Sequence, residues 1–142
     1  MDVTGFAMLS EEERGNIVCL QGYIVLKYVG ICLIDFNVHP EWEKTDYVKL
    51  KGSDLEYALR LKLAVMGGGN SVFFHEAQIT GHWDAGEWVP SHILAKNTRD
   101  DDWFEVPIDE DALKKGKKTY GHLADADEET TAFWRIYSKN SD

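Results

Sequence analysis

The stretch SDLEYALRLKLAVMGGGNSVFFHEAQITGHWD, from Ser53 to Asp84, contains a helical pattern that ends in glycines and a strand pattern that follows them. Apolar side chains recur there at the spacing of one helix face, at Leu55, Leu59, Leu63 and Met66. Ser53 stands three residues before Glu56, as in a capping box, and Gly67 is a typical C-terminal cap. The sequence therefore predicts a helix that is capped by Ser53 and ends at Met66, and then a strand over 72–83.

Strand patterns lie on both sides of this helix. Segments rich in β-branched and aromatic residues precede and follow it, at 17–29, 31–36, 46–51, 72–83 and 87–95. Gly22 and Gly81 lie inside two of these segments, where a glycine indicates a bulge or a sharp bend of the strand. The predicted order is three strands, one helix and two strands, so the predicted fold class is mainly β.

This order resembles that of the OB-fold, a small Greek-key barrel with one helix between its third and fourth strands. The resemblance covers about residues 17–96 and rests on element order and on the glycines inside long strands. It implies a five-stranded antiparallel barrel with the leucine face of the helix plugging one open end. A curved antiparallel sheet with the helix lying across it is the alternative packing. In either case we expect a core that contains Val18, Leu20, Ile24, Ile34, Leu59, Leu63 and Ile79.

The length of 142 residues suits a single domain over 1–142, with a core at about 17–96 and an acidic extension over 97–142. Near the N-terminus, Ser10 and Glu13 have the spacing of a capping box and predict one short helical turn. In the extension, Asp109 to Lys115 predicts a helix with acids first and lysines last. Residues 130–138 suit a final strand or a short helix, and we favour the strand.

Fifteen Lys and Arg stand against 25 Asp and Glu, for a formal net charge of -10. This balance opposes general nucleic-acid binding and favours either solubility alone or a basic partner. The chain has no signal-peptide pattern and no run of ~20 apolar residues that could span a membrane, so we expect a cytoplasmic protein without a membrane partner. Cys19 and Cys32 are predicted to be buried free thiols, because a turn near Gly30 would place Cys32 opposite a residue near Val25.

Sequence motifs of catalysis are lacking: the chain has no G-x-S-x-G, no phosphate-binding loop and no HExxH. His75, His82, Asp84 and Glu87 could surround a metal only if a bulge at Gly81 turned both histidines to one side. Acidic pairs are typical of solvated surfaces, although paired-carboxylate catalysis is the alternative that they leave open. We therefore expect no metal, no cofactor and no enzymatic activity.

Acidic residues are concentrated between Asp100 and Asp111, where seven of them are interleaved with apolar side chains. Apolar anchors among acids suit a contact surface for a basic partner, such as a toxin nuclease, that the protein would occlude. In size, charge and lack of catalytic motifs the chain is similar to small acidic bacterial immunity proteins. The predicted contact residues are Asp100, Asp101, Asp102, Trp103, Phe104, Asp109, Glu110 and Asp111. The alternative is that Trp103 packs into the protein's own core and the acids only keep the chain soluble.

A second candidate surface follows from the OB-fold resemblance, since such proteins bind single-stranded nucleic acid or oligosaccharides on aromatic side chains beside basic ones. The aromatic and basic residues in the corresponding region are Phe36, Trp42, Tyr47 and Lys49. Neighbouring acids cancel the local charge, at Asp35, Glu41, Glu43 and Asp46. Nucleic acid is therefore the less favoured partner.

Overall fold

The computed structural model describes residues 1–27, 29–41, 44–64 and 73–121. The helices among them are α1 (Val3–Ala7), α2 (Glu11–Arg14), α3 (Leu55–Arg60) and α4 (Glu110–Tyr120). The strands are β1 (Cys19–Lys27), β2 (Gly30–Ile34), β3 (Tyr47–Lys49), β4 (Phe74–Asp84), β5 (Glu87–Ala95) and β6 (Phe104–Val106). The predictions made for Trp42, Met66, Gly67, residue 72 and residues 130–138 lie outside the described residues.

The strands form one antiparallel sheet in the order β3-β2-β1-β4-β5-β6. The mainly β fold and the helix between the third and fourth strands are confirmed. The sheet is curved and is not closed into a barrel, so the curved-sheet packing is the one observed, with β6 as a sixth strand at one edge. The end of β3 approaches β5, where Leu50 forms a parallel bridge with Trp88 and the Lys51 amide donates to the Trp88 carbonyl at 2.8 Å.

Two glycines allow neighbouring strands to approach closely. A Cβ on Gly22 would collide with the carbonyl oxygen of Ile34, and one on Gly81 would collide with that of Val89. The register between β4 and β5 shifts between Thr80 and Gly81, which confirms the irregularity predicted there. Gly22 keeps a regular register with its β4 partner, so close packing rather than a bulge explains this glycine.

The main core lies between one face of the sheet and the helices. Five of the predicted core residues belong to it, namely Leu20, Ile24, Leu59, Leu63 and Ile79. Ile34 is also buried, but on the second face of the sheet, together with Val25 and Cys32. Val25 pairs directly with Cys32, as the predicted turn requires, and both cysteines are free, although Cys19 is only half-buried. Val3 and Phe6 from α1 and Val106 from β6 also belong to the main core.

The prediction for Val18 is wrong, because its side chain is 68% exposed. β1 begins only at Cys19, so the alternation that buries Leu20 and Ile24 does not extend back to residue 18. The carbonyl of Val18 still accepts from the Gly81 amide at 2.9 Å, which fixes the backbone while the side chain faces away from the core.

The predicted Ser53 cap is also wrong. α3 begins at Leu55, its N-cap residue is Asp54, and no side chain caps it. Asp54 has φ −104° and ψ 7°, outside the extended conformation from which an N-cap side chain reaches the first turn. Glu56 pairs with Arg60 at 3.3 Å instead of closing a capping box.

α3 ends at Arg60, short of the predicted Met66. The Ala64 amide donates to the side-chain oxygen of Asn97 at 2.8 Å, so a loop outside the helix takes this donor. The capping box of Ser10 and Glu13 is confirmed, and so is the helix that starts after Asp109, although α4 continues to Tyr120, past the predicted end at Lys115. No helix in the described ranges has the length and apolar character that crossing a membrane requires.

Candidate binding surfaces

The acidic segment is divided by β6. Asp100 to Trp103 lie in the loop between β5 and β6, whereas Asp109 to Asp111 lie at the start of α4. β6 pairs with β5 through Phe104, Glu105 and Val106, and this pairing holds the two acidic groups beyond opposite ends of the strand. The structure therefore does not bring the eight predicted contact residues together into one cluster.

Several acids of the segment have local structural roles. The Thr98 amide donates to Asp101 at 2.9 Å, which closes the turn after β5. The Ala112 amide donates to Asp109 at 3.0 Å, and Glu110 pairs with Lys114 at 3.0 Å. The carboxylates of Asp100, Asp102 and Asp111 are exposed and make no hydrogen bond or ion pair with the described residues. They are the acids of the segment that are free to meet another molecule.

Trp103 lies outside both apolar clusters and is 38% exposed. The Lys96 ammonium lies 4.7 Å from the centre of the Trp103 ring, a cation–π contact that holds the indole beside the sheet. Phe104, the next residue, is half-buried and packs against the main core. The loop therefore presents one aromatic side chain outward and anchors itself through the next one.

The second candidate surface has aromatic side chains but little free positive charge. Phe36 and Tyr47 are 38% and 46% exposed. The Phe36 ring meets the edge of Tyr23 at 5.1 Å between centroids, and the Lys27 ammonium lies 4.2 Å from the Tyr47 ring. Lys49 pairs with Glu87 of β5 at 3.5 Å, so its charge is largely balanced within the protein. The fourth predicted residue, Trp42, is outside the described residues.

A row of neighbouring residues on the second face of the sheet extends from one candidate surface to the other. One cross-strand row runs over the sheet through Tyr47, Ile34, Tyr23, Glu76, Lys96 and Trp103. Opposite residues on neighbouring strands share a face, so their side chains lie side by side. Ile34 is fully buried, which separates the Tyr47 end from the exposed part of the row. Sequence reasoning had assigned no role to Tyr23, Glu76 or Lys96, although alternation marks Tyr23 and Glu76 as facing away from the main core.

A cleft of about 310 Å³ opens along the exposed part of this row. Tyr23 and Phe74 form its aromatic side, with their ring centroids 4.9 Å apart. Glu76 and Lys96 line it as an ion pair at 3.7 Å, and Arg99 lines it as well. Lys96 also contacts Trp103, which lies next to the cleft but does not line it.

The structure does not bring His75 and His82 to the same side of β4. His75 is buried on the core face, whereas His82 is exposed near the end of β4. Burial lowers the pKa of the His75 imidazole, against the opposing effect of a backbone hydrogen bond with Ala64. The Phe74 amide donates to His75 Nδ1 at 3.1 Å, which leaves that nitrogen unavailable to a metal. Within the described part of the chain, no three His, Cys, Asp or Glu side chains are grouped as metal ligands.

A comparison of the chain with protein-family models, with curated proteins and with solved structures gives no match. Support for any function therefore rests on the geometry of the described residues.

Proposed function

We propose that this protein is a non-enzymatic binding protein that occludes a basic protein partner, as an immunity protein occludes a toxin nuclease. The exposed Trp103, placed beside exposed aspartates rather than in the core, is the observation that carries this proposal. A partly exposed tryptophan held by a neighbouring cation is already ordered, so its burial by a partner would cost little side-chain entropy. Two free cysteines support a cytoplasmic site of action, where thiols stay reduced.

The proposed contact surface includes only part of the acidic segment. Asp101, Asp109 and Glu110 already have partners within the protein, and the last two lie beyond β6. We therefore propose a contact centred on the loop from Asp100 to Trp103. In it, Trp103 supplies most of the affinity and the aspartates attract the basic partner over a longer range.

The test begins with capture of a partner from the native host on the full chain, followed by association and dissociation rates for variants. Trp103→Ala should mainly speed dissociation, by about thirtyfold for a loss of about 2 kcal/mol. Asp102→Lys should mainly slow association, and added salt should remove the difference.

The matched control is Glu12→Lys, an equal change of net charge at an exposed position in α2. Equal slowing by Asp102→Lys and Glu12→Lys would mean that net charge alone attracts the partner. A captured partner whose two rate constants are unaffected by Trp103→Ala would refute the proposed contact.

We also propose that the path of the strands is OB-like. An OB-fold is a partly open five-stranded barrel, and the Leu50–Trp88 bridge supports such a path because it joins the end of β3 to β5. β6 and α4 would then be additions to that unit. The Lys51 amide, which donates to the Trp88 carbonyl, should exchange slowly with solvent hydrogen. Exchange as fast as that of the exposed turn residue Ser53 would contradict the proposed OB-like path.

A further inference from the structure

We propose that the cleft between Tyr23 and Arg99 binds a neutral oligosaccharide, a ligand distinct from the protein partner proposed above. The cleft holds about 310 Å³ and lies on the second face of the sheet. Its walls come from three parts of the chain that the sheet brings together: Tyr23 on β1, Phe74 and Glu76 on β4, and the residues that follow β5.

The register of the strands sets the shape of this site. Tyr23 pairs with Glu76, the Lys96 amide donates to the Glu76 carbonyl at 3.1 Å, and Lys96 in turn contacts Trp103. Three spacings between neighbouring strands therefore separate Tyr23 from Trp103, or about 14 Å. An aromatic side chain stands at each end of this span, so it suits an elongated ligand of linked rings better than a single ring.

The chemistry of the lining suits a polyhydroxylated ligand. A sugar ring stacks its apolar C–H face on an aromatic ring, and Tyr23 and Phe74 offer such rings in the cleft, with Trp103 next to it beside Lys96. Its hydroxyl groups act as both donors and acceptors, and the cleft offers both kinds of partner. The Glu76 carboxylate accepts, whereas Lys96 and Arg99 donate.

The charges of the site favour a neutral ligand over a phosphate-bearing one. Glu76 balances Lys96 at 3.7 Å, which leaves Arg99 as the one lining cation without an ion pair among the described residues. Arg99 is followed directly by three aspartates, and the whole chain carries a formal charge of -10. A chain of phosphates needs several free cations to release its counterions, and this cleft does not supply them.

The test uses the full chain, labelled with nitrogen-15, in amide NMR titrations with cellotetraose, maltotetraose, chitotetraose and a short single-stranded oligothymidylate. At least one of the three sugars should shift the amide signals of Tyr23, Glu76 and Lys96 in a saturable way at millimolar concentration or below. Oligothymidylate should leave them unchanged. The mixture contains no protein partner, so failure here is independent of the occlusion proposal.

Two variants localise the binding. Tyr23→Ala removes the aromatic wall and should raise the dissociation constant about tenfold or more, whereas Tyr120→Ala on α4 should not change it. Arg99→Ala should also raise the dissociation constant, whereas the exposed control Lys118→Ala should not change it. Arg99→Ala replaces Tyr23→Ala as the test if Tyr23→Ala fails to fold. Absence of saturable shifts with all three sugars would overturn the proposal. Tighter binding of oligothymidylate, or sugar-induced shifts confined to residues outside the cleft, would overturn it as well.

Discussion

Lys96 and Trp103 form a cation–π pair in which the ammonium lies 4.7 Å from the centre of the indole ring. The same ammonium lies 3.7 Å from the Glu76 carboxylate, so one lysine links the loop before β6 to the middle of the sheet. Trp103 is thus positioned by a surface contact, whereas Trp88 is fully buried and packs edge-on against Phe6. The protein therefore has one tryptophan on its surface and one in its core, and the two can be compared directly.

Trp103→Ala should therefore lower the free energy of unfolding by only about 0.5–1 kcal/mol, the size of an exposed cation–π contact. Trp88→Ala should lower it by about 3–5 kcal/mol, because it leaves a large cavity in the main core. Urea unfolding of the two variants beside the parent protein measures both values. A loss of several kcal/mol for Trp103→Ala would mean that this side chain supports the fold and is not held ready for a partner.

Gly116 is where α4 packs on α3, and its replacement by alanine should destabilise the protein. A Cβ at this position would lie 2.6 Å from the carbonyl carbon of Tyr57 and 2.8 Å from the amide nitrogen of Ala58. Alanine improves helix propensity by about 1 kcal/mol, but such overpacking against backbone costs about 1–3 kcal/mol. We expect a net loss in urea unfolding, and a change near zero for the exposed Lys118→Ala. A stabilised Gly116→Ala would show that the two helices separate without cost.

Features that depend on neighbouring residues were predictable from the sequence. The capping box of Ser10 and Glu13, the acidic start of α4 and the pairing of Val25 with Cys32 each involve a span of a few residues. In these spans, local hydrogen bonds and a tight turn leave the backbone few alternative conformations. Ser53 was mispredicted although its pattern is local, because α3 begins one residue later than expected, after Asp54, and Glu56 pairs with Arg60 within the helix instead of closing the cap.

The exposed row was not predictable in the same way. Tyr23, Glu76, Lys96 and Trp103 are adjacent only once β1, β4, β5 and β6 have their registers. A shift of one residue in any pairing would send the side chains to the opposite face, and the sequence alone does not specify those registers. Alternation could identify which residues face outward, but not which of them meet.

His75 should make the protein less stable in mildly acidic solution. Burial lowers the pKa of its imidazole in the folded state below the ordinary value of 6.5. Below pH 6.5 the unfolded chain therefore binds a proton that the folded chain resists, so stability is complete above this pH and falls as the pH drops through it. Urea unfolding midpoints measured from about pH 7.5 down to about pH 5 should show this decline.

The pH dependence should be reduced in His75→Gln and retained in His92→Gln, since the His92 side chain is 45% exposed. NMR titration of the imidazoles provides a second readout, in which His75 should be less protonated than an unperturbed histidine at the same pH. If the stability of His75→Gln falls with pH as much as that of the parent protein, other titratable groups cause the decline.

Asp35 connects the N-terminal helix to the sheet. The Thr4 amide of α1 donates to one carboxylate oxygen at 2.8 Å, and the Asn37 amide donates to the other at 2.9 Å. Burial acts to raise the pKa of the Asp35 carboxyl, but the hydrogen bonds from Asn37 and Thr4 outweigh it and hold the pKa below its usual value. The stabilising effect of the carboxylate is therefore present above about pH 4 and is lost as the pH falls through the lower folded-state pKa.

Asp35→Asn should release α1 before the sheet unfolds. An asparagine keeps one acceptor oxygen, but its NH2 group would face one of the two backbone N–H groups that Asp35 accepts from. One charge-assisted hydrogen bond is therefore lost, which should cost about 2 kcal/mol. Phe6 depends on this connection, because α1 inserts it against Trp83 and Trp88 at 5.2 and 5.6 Å between centroids. Hydrogen exchange should accelerate in α1 while β1 and β4 stay protected, and the parent protein should show the same pattern only in acid.

Asp46→Asn is the control, since Asp46 is exposed and accepts only the Thr4 hydroxyl, at 3.3 Å, from α1. Equal acceleration in the two variants, or uniform acceleration over α1 and the sheet, would show that Asp35 does not hold α1 as a separate unit.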